Sequence, residues 1–164
     1  MPRIRHGIII SRPPAEVFEI TNDIDRWKEL FNEYGESRVV DRQDAGRFTK
    51  LVFRLRNNDG AEWQSWRILD HQDLIAVAQR EDPLYPFAYM HLTWTYRAVA
   101  DGTEMTWTQD FELDPALETP EATVVARMDA HGRENQIRIK GLLESGAVRR
   151  SGSGPVAPAA TGRP

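Results

Sequence analysis

The stretch YMHLTWTYRAVADGTEMTWTQDFEL, residues 89–113, has two alternating segments on either side of an Asp-Gly pair, and it decides the fold class. Every second position is mostly apolar and the positions between are mostly polar, which is the two-residue period of a half-buried strand. The apolar row consists of Met90, Leu92, Trp94 and Tyr96 in the first segment and Met105, Trp107, Gln109, Phe111 and Leu113 in the second. The Asp101-Gly102 pair is a hairpin signal. The stretch therefore predicts an antiparallel hairpin with one buried face.

Five further segments have strand-like composition, and turn residues separate the four that precede the hairpin. The short connections predict antiparallel pairing in chain order, and only residues 80–87, before the hairpin, form a longer connection broken by prolines. The predicted strands cover residues 4–11, 34–42, 47–56, 62–70, 74–81, 89–100 and 104–113.

Helical patterns stand at two places in the chain. Two short helices are predicted over 12–23 and 23–31, directly after the first strand. A long one begins after Thr119 as N-cap, with Pro120 at its first position, and runs to about Ser145. This order predicts an α+β domain over residues 1–146, in which a strongly curved seven-stranded sheet wraps around the C-terminal helix. Residues 147–164, rich in Gly, Ser, Pro and Ala, are expected to form a disordered tail.

Composition excludes several classes of function. The formal net charge is −4 and no long basic run occurs, so nucleic acid binding is not expected. The chain has no cysteine, which rules out disulfides and thiolate metal sites, and its four histidines have no metal-ligand spacing. No apolar run approaches the roughly 20 residues of a membrane span, and no signal peptide is evident. A cytoplasmic protein without a metal is therefore expected.

The segment EWQSWRI, residues 62–68, is where alternation alone does not choose the buried face. The two candidate inner faces are Trp63, Ser65 and Arg67 on one side, and Gln64, Trp66 and Ile68 on the other. Apolar content slightly favours the second face, whereas an arginine on the first face needs a reason for being inside.

The long helix has an apolar stripe that becomes polar at its centre. The stripe consists of Val124, Met128, Asn135, Ile139 and Leu142, with His131 and Gly132 in the middle. Two interpretations stay open, since the polar centre belongs either to a cavity wall or to the solvent edge of the helix.

Three stretches resemble the monodomain aromatase/cyclases of bacterial type II aromatic polyketide synthesis, and are similar to the tetracenomycin and spore-pigment enzymes among them. They are TNDIDRWKELFNEY (21–34), EWQSWRI (62–68) and FAYMHLTWTYRAVADGTEMTWTQDF (87–111). The resemblance extends over about residues 4–145. It implies the START-like helix-grip fold, with an internal cavity between the concave sheet face and the C-terminal helix. It also implies that Trp63, Ser65 and Arg67 face that cavity.

The resemblance implies an enzyme of polyketide and antibiotic biosynthesis. Such an enzyme directs an intramolecular aldol cyclization of a poly-β-ketone held by an acyl-carrier protein, and then the dehydration that aromatizes the first ring. Ring closure between the ninth and fourteenth carbons is favoured, and closure of a second ring stays open. No cofactor or metal is implied, and the ketosynthase and chain-length factor are candidate further partners. The alternative is a non-catalytic carrier of hydrophobic small molecules on the same fold.

The resemblance also assigns roles to individual residues. Arg67 matches the family's key arginine and is expected to polarise a ketone or enolate oxygen, because arginine stays cationic when buried. Tyr34 matches a pocket tyrosine and is the candidate proton donor. A surface ion pair for Arg67 and a core position for Tyr34 are the alternatives. The expected substrate-binding residues are Trp27, Trp63, Ser65, Phe87, Met90, Trp94, Gln109, Met128 and Asn135.

Overall fold

A seven-stranded antiparallel sheet is the centre of the computed structural model, which describes residues 1–152. The strands are β1 (Arg3–Ile10), β2 (Tyr34–Ala45), β3 (Phe48–Asn57), β4 (Glu62–Asp70), β5 (Ile75–Arg80), β6 (Phe87–Val99) and β7 (Gly102–Leu113). Their order in the sheet is β1-β7-β6-β5-β4-β3-β2. The short connections place β2 to β7 side by side in chain order, and β1 pairs with β7 at the far edge. The predicted seven-stranded α+β architecture is confirmed.

The helices follow the predicted order with small changes at their ends. They are α1 (Pro14–Thr21), a 3₁₀ turn (Ile24–Arg26), α2 (Trp27–Leu30) and α3 (Glu121–Glu144). Pro120 is the N-cap of α3, rather than Thr119, because its ψ of 138° is extended and the first helical residue is Glu121. Within residues 1–152, none of the helices combines the length and the apolar content needed to cross a membrane.

The β6–β7 hairpin has the register that alternation predicts, with Trp94 directly opposite Trp107. Gly102 has a φ of +137°, and a Cβ at this position would collide with the backbone carbonyl of Ile10. Only glycine fits here, because the positive φ and the close approach of β1 both exclude a side chain. Register shifts in the β2–β3 and β6–β7 pairs add to the bending of the sheet.

The core lies between the concave face of the sheet and the helices, in two groups of buried side chains. The larger group includes Ile10, Phe18, Trp27, Leu30, Phe53, Ile139 and Leu143, and the smaller consists of Ile4, Met90 and Phe111. Fully burying such a side chain contributes about 1.5–3 kcal/mol. Both groups, or residues packed against them, reach the cavity described below.

Helix α3 packs on β1 through a close approach at Gly132. The ring of His6 is buried against this glycine, and its Nε2 lies 2.7 Å from Oδ1 of Asp129. A Cβ on Gly132 would lie 2.8 Å from two atoms of the His6 ring. The missing side chain therefore sets how near the helix comes to the sheet.

Residues 147–152, which the sequence analysis assigned to the tail, contact the domain. Val148 is 5% exposed and lies in the larger core group, and its amide donates to the carbonyl of Leu142. The guanidinium of Arg26 donates to the carbonyl of Arg149. The domain therefore extends beyond residue 146, because an apolar side chain after α3 fills the core. Residues 153–164 of the expected tail lie outside the described residues.

The two glycines within α3 differ in their surroundings and form a matched pair. Gly132→Ala should lower the free energy of unfolding by about 1–3 kcal/mol, because the new methyl group overpacks the buried His6 ring. Gly141→Ala should raise it by about 0.5–1 kcal/mol, since nothing lies within 4 Å and alanine favours the helix. Urea denaturation measures both, and equal effects of the two substitutions would contradict this account of the α3–β1 contact.

Two valines test the extent of the domain. Val148→Ala should lower the free energy of unfolding by about 1–2 kcal/mol, because it removes two buried methyl groups. The exposed Val40 is the control, and Val40→Ala should stay within about 0.5 kcal/mol of the parent. Thermal and urea denaturation report the difference. If Val148→Ala left the free energy of unfolding unchanged, Val148 would not belong to the folded domain.

Candidate functional site

A cavity of about 260 Å³ lies between the concave sheet face and α3. The structure places all eleven predicted site residues in its lining: Trp27, Tyr34, Trp63, Ser65, Arg67, Phe87, Met90, Trp94, Gln109, Met128 and Asn135. They come from β2, β4, β6, β7, α2 and α3. Chain segments far apart in sequence therefore converge on one cavity.

In strand β4, the face that contains Trp63, Ser65 and Arg67 points into the cavity. Ser65 and Arg67 are buried, whereas Trp66 and Ile68 are only half-buried on the convex side. Arg67 stands directly opposite Ala78 of β5, whose single methyl group leaves room for the long side chain. Small residues on the neighbouring strand thus allow a guanidinium on the concave face, which counting apolar residues in β4 alone did not reveal.

Arg67 is 1% exposed, and no carboxylate of residues 1–152 pairs with it. Its Nε donates to Oδ1 of Asn22 at 2.7 Å, and its Nη2 has no hydrogen-bond partner among the described residues. The guanidinium carbon lies 4.1 Å from the ring centre of Trp94 and 5.5 Å from that of Trp27, within the range of cation–π attraction. Burial lowers the pKa of Arg67 to about 10, so the group is still cationic at neutral pH.

Tyr34 is the first residue of β2 and lines the same cavity as Arg67. Its ring stacks on Trp27 with 5.9 Å between centres, and its hydroxyl bonds to no side chain or backbone group of the described residues. Burial and, to a lesser extent, the charge of Glu33 raise the pKa of Tyr34 well above its usual value, while the charges of Arg67 and Arg80 oppose the rise. The phenol therefore stays protonated at neutral pH and is suited to donate a proton.

Stacked indoles form one wall of the cavity. Trp94 and Trp107 are nearly parallel with 4.4 Å between centres, and the rings of Trp27 and Trp94 are stacked with 5.9 Å between centres. Rings packed in this way leave flat, apolar surfaces. The wall is suited to a planar, conjugated molecule and restricts how a flexible chain could fold beside it.

Three polar residues of the lining were not predicted as site residues. Arg80 of β5 lies over the ring of Trp63 at 4.4 Å. Glu33 accepts a hydrogen bond from Nε2 of His131 at 2.7 Å and another from Nδ2 of Asn135 at 3.1 Å. Alternation did offer a signal for Arg80, which shares a strand face with Ala76 and Ala78. The contact of Glu33 with α3 joins residues about 100 positions apart, so no local pattern indicated it.

These contacts show which part of the polar centre of α3 faces the cavity and which part faces solvent. Asn135 is buried and lines the cavity, as does Gly132. His131 also lines the cavity, but its side chain is largely exposed at the solvent edge. Each interpretation therefore holds for part of the stripe, because the helix surface turns from the cavity towards solvent over one turn.

The site combines two cations that pair with no carboxylate among residues 1–152, the buried Arg67 and the half-buried Arg80, with one neutral phenol and several neutral polar groups within aromatic walls. The neutral groups are the hydroxyl of Ser65 and the amides of Gln109 and Asn135. Within residues 1–152, no three His, Asp or Glu side chains come together as a metal site would require. Such an arrangement can hold a flat molecule that carries several carbonyl oxygens and stabilise negative charge on one of them.

Comparisons with known proteins agree with the fold and the motifs. A proposed polyketide cyclase from Streptomyces cyaneus is 38% identical over 113 residues, which cover 66% of this chain and 71% of that protein. The granaticin polyketide synthase bifunctional cyclase/dehydratase of Streptomyces violaceoruber is 28% identical over 146 residues, which cover 86% of this chain and 42% of that protein. The solved structure of the di-domain ARO/CYC BexL, from the BE-7585A biosynthetic pathway, superposes with a TM-score of 0.74 at 20% identity. The superposition covers 88% of this chain and 47% of BexL, and it shows the fold alone.

The family described as polyketide cyclase/dehydrase and lipid transport matches residues 1–161, which is nearly the whole chain. This match includes every element that lines the cavity, from α2 to α3. Sequence, fold and relatives thus agree, and the chain belongs to the polyketide cyclase/dehydrase and lipid transport family.

Proposed function

We propose that the protein is a polyketide aromatase/cyclase, which directs the aldol cyclization and dehydrative aromatization of the first ring of a poly-β-ketone. The observation that carries this proposal is the buried Arg67, which pairs with no carboxylate of residues 1–152, in the same aromatic-walled cavity as the protonated phenol of Tyr34. A cation and a proton donor in a water-poor site are what the developing alkoxide of an aldol reaction requires.

Ring closure forms one carbon–carbon bond. The enolate carbon of one segment attacks the carbonyl carbon of another, and the electron pair of that carbonyl moves onto its oxygen. Arg67 stabilises the negative charge on this oxygen, and Tyr34 gives it a proton, so that the product is a β-hydroxy ketone. The phenolate then regains a proton from solvent. Removing one such charge-stabilising donor from an enzyme costs about 10²–10³ in rate.

Aromatization removes one molecule of water from the hydroxy ketone. A proton passes from the carbon between the carbonyl and the carbinol to solvent water, a carbon–carbon double bond forms, and the hydroxyl departs as water after taking up a proton. Enolization of the remaining ketones completes the ring. Tyr34 is the proposed donor to the leaving hydroxyl, and the indole wall of Trp27, Trp94 and Trp107 holds the ring plane in place.

Regiochemistry and partners belong to the same proposal. The resemblance to the tetracenomycin and spore-pigment enzymes supports closure between the ninth and fourteenth carbons. The substrate is proposed to arrive on an acyl-carrier protein, in the company of a ketosynthase and chain-length factor in the cytoplasm. The granaticin relative supports this setting, because it is named as part of a polyketide synthase.

A carrier of hydrophobic small molecules is the second candidate. The family description includes lipid transport, and most residues of the cavity lining are apolar or aromatic. The two functions differ in outcome, since a carrier would bind aromatic products without changing which ring forms. Co-expression with a minimal synthase of known chain length, followed by identification of the products, tests this difference.

Arg67→Ala should abolish directed ring closure, because the cation that stabilises the alkoxide is removed. With a minimal synthase, spontaneous shunt products should replace the directed product. Arg97→Ala is the control, since Arg97 is exposed and paired with Glu104 on the surface, and it should keep the parent product profile. Circular dichroism checks that both variants fold. A parent-like profile from a folded Arg67→Ala variant would refute the proposed role.

Tyr34→Phe should lower the yield of aromatized product by about 10²-fold, within the range reported for general acid catalysis. Binding of a two-ring aromatic product should stay within a few-fold of the parent, because the stacked ring is kept. Tyr85→Phe serves as the control, since Tyr85 is exposed and lies outside the cavity lining. Unchanged turnover of Tyr34→Phe would remove this phenol from the chemistry.

A further inference from the structure

Asn22 follows α1 directly, is 5% exposed and does not line the cavity, yet it holds the residue on which the proposed chemistry depends. Its Oδ1 accepts the hydrogen bond from Nε of Arg67 at 2.7 Å. Its Nδ2 donates to the carbonyl of Phe18 at 2.8 Å and to the hydroxyl of Tyr96 at 3.1 Å. Because a carbonyl only accepts and a guanidinium only donates, the orientation of the amide is determined.

The amide belongs to a buried chain of hydrogen bonds. The Tyr96 hydroxyl lies 2.6 Å from Oγ1 of Thr21, which donates to the carbonyl of Val17 one turn earlier in α1. Buried hydrogen bonds of this kind restrict the side chains that they join. Arg67 is therefore tied through its Nε to the end of α1, and its Nη2 stays without a partner among the described residues.

The chemical type of the acceptor decides the net charge of Arg67 together with its partner. Buried guanidinium groups are normally paired with carboxylates, because an unpaired buried charge is costly. Asparagine has nearly the same shape as aspartate and offers the same acceptor oxygen, but it carries no charge. The faces of Trp94 and Trp27 offset part of the cost without neutralising the cation.

We propose that Asn22 is a positioning residue that orients Arg67 through a neutral acceptor and thereby leaves its positive charge available to anionic groups in the cavity. The substrate side of this inference, an enolate or alkoxide oxygen, rests on the proposed function. The charge state of the cavity itself does not, and it can be measured with simple ligands.

The test compares two flat ligands of matched shape, 2-naphthoate and the uncharged 2-naphthamide. Quenching of tryptophan fluorescence gives the Kd of each for the full chain at neutral pH. We expect the parent protein to prefer the anion. In Asn22→Asp this preference, expressed as the ratio of the two Kd values, should fall by about tenfold or more, because a carboxylate then neutralises Arg67.

A second pair of variants addresses the risk that Asn22→Asp is poorly folded, since the new carboxylate would face the carbonyl of Phe18. Ala78 is 1% exposed and stands directly opposite Arg67 in the sheet, with its methyl group in the cavity lining. Ala78→Asp brings a carboxylate to the guanidinium without altering Asn22, and Ala78→Asn brings an uncharged group of the same size. We expect the anion preference of Ala78→Asp to be about tenfold below that of Ala78→Asn.

The outcomes separate this inference from the proposed function. An anion preference that is absent in the parent, or equal in Ala78→Asp and Ala78→Asn, overturns the inference. It is likewise overturned if a folded Asn22→Asp keeps the parent ratio. Loss of the preference in these variants supports it, even where Arg67→Ala leaves the polyketide products unchanged and the cyclase proposal fails. If Arg67→Ala loses ring closure while Asn22→Asp keeps the anion preference, the proposed cyclase function is supported and the proposed role of Asn22 is rejected.

Discussion

The burial of one guanidinium without a carboxylate partner is the constraint around which the site is organised. Among residues 1–152, the side chain of Arg67 makes one hydrogen bond, from its Nε to Asn22, and it packs over the ring of Trp94. Each neighbour meets a separate requirement, since Asn22 fixes direction, the indole faces reduce the cost of burial, and Ala78 leaves space. Replacing any of them with a larger or charged group would change either the position of the cation or the charge it presents.

The fold supplies the cavity in which this cation can meet a bound molecule. A sheet bent around one helix has a concave face that the helix covers only in part, and the cavity occupies the remainder. The distance between helix and sheet is set at Gly132, where the His6 ring takes the place of a side chain. The same helix contributes Met128 and Asn135 to the wall, so the contact that sets the spacing also places cavity-lining residues.

Electrostatics divides the polar residues of the site into two groups. Arg67 and Tyr34 lie close to stacked rings, and burial keeps Tyr34 protonated while Arg67 remains cationic at neutral pH. Glu33 and His131 bind each other where α3 turns towards solvent. The cavity therefore presents donors to a bound molecule, and the carboxylate of Glu33 is engaged by groups of α3. This separation favours ligands whose oxygens become negative during a reaction.

The sequence by itself determined the seven strands and the order of the helices. It also indicated the eleven residues that meet at the cavity, nine through three motifs and Met128 and Asn135 through the stripe of the long helix. Period-two alternation and short turns are local properties, and they also specify the side of each strand that is buried when one row is clearly apolar. In β4 the two rows were nearly equal, and only the tertiary structure, with Ala78 opposite Arg67, shows why the arginine fits inside. The pairing of β1 with β7, the burial of Val148 and the contacts of Glu33 and Asn22 also join distant segments. Such contacts depend on how completed elements pack, so no single stretch of the chain could indicate them.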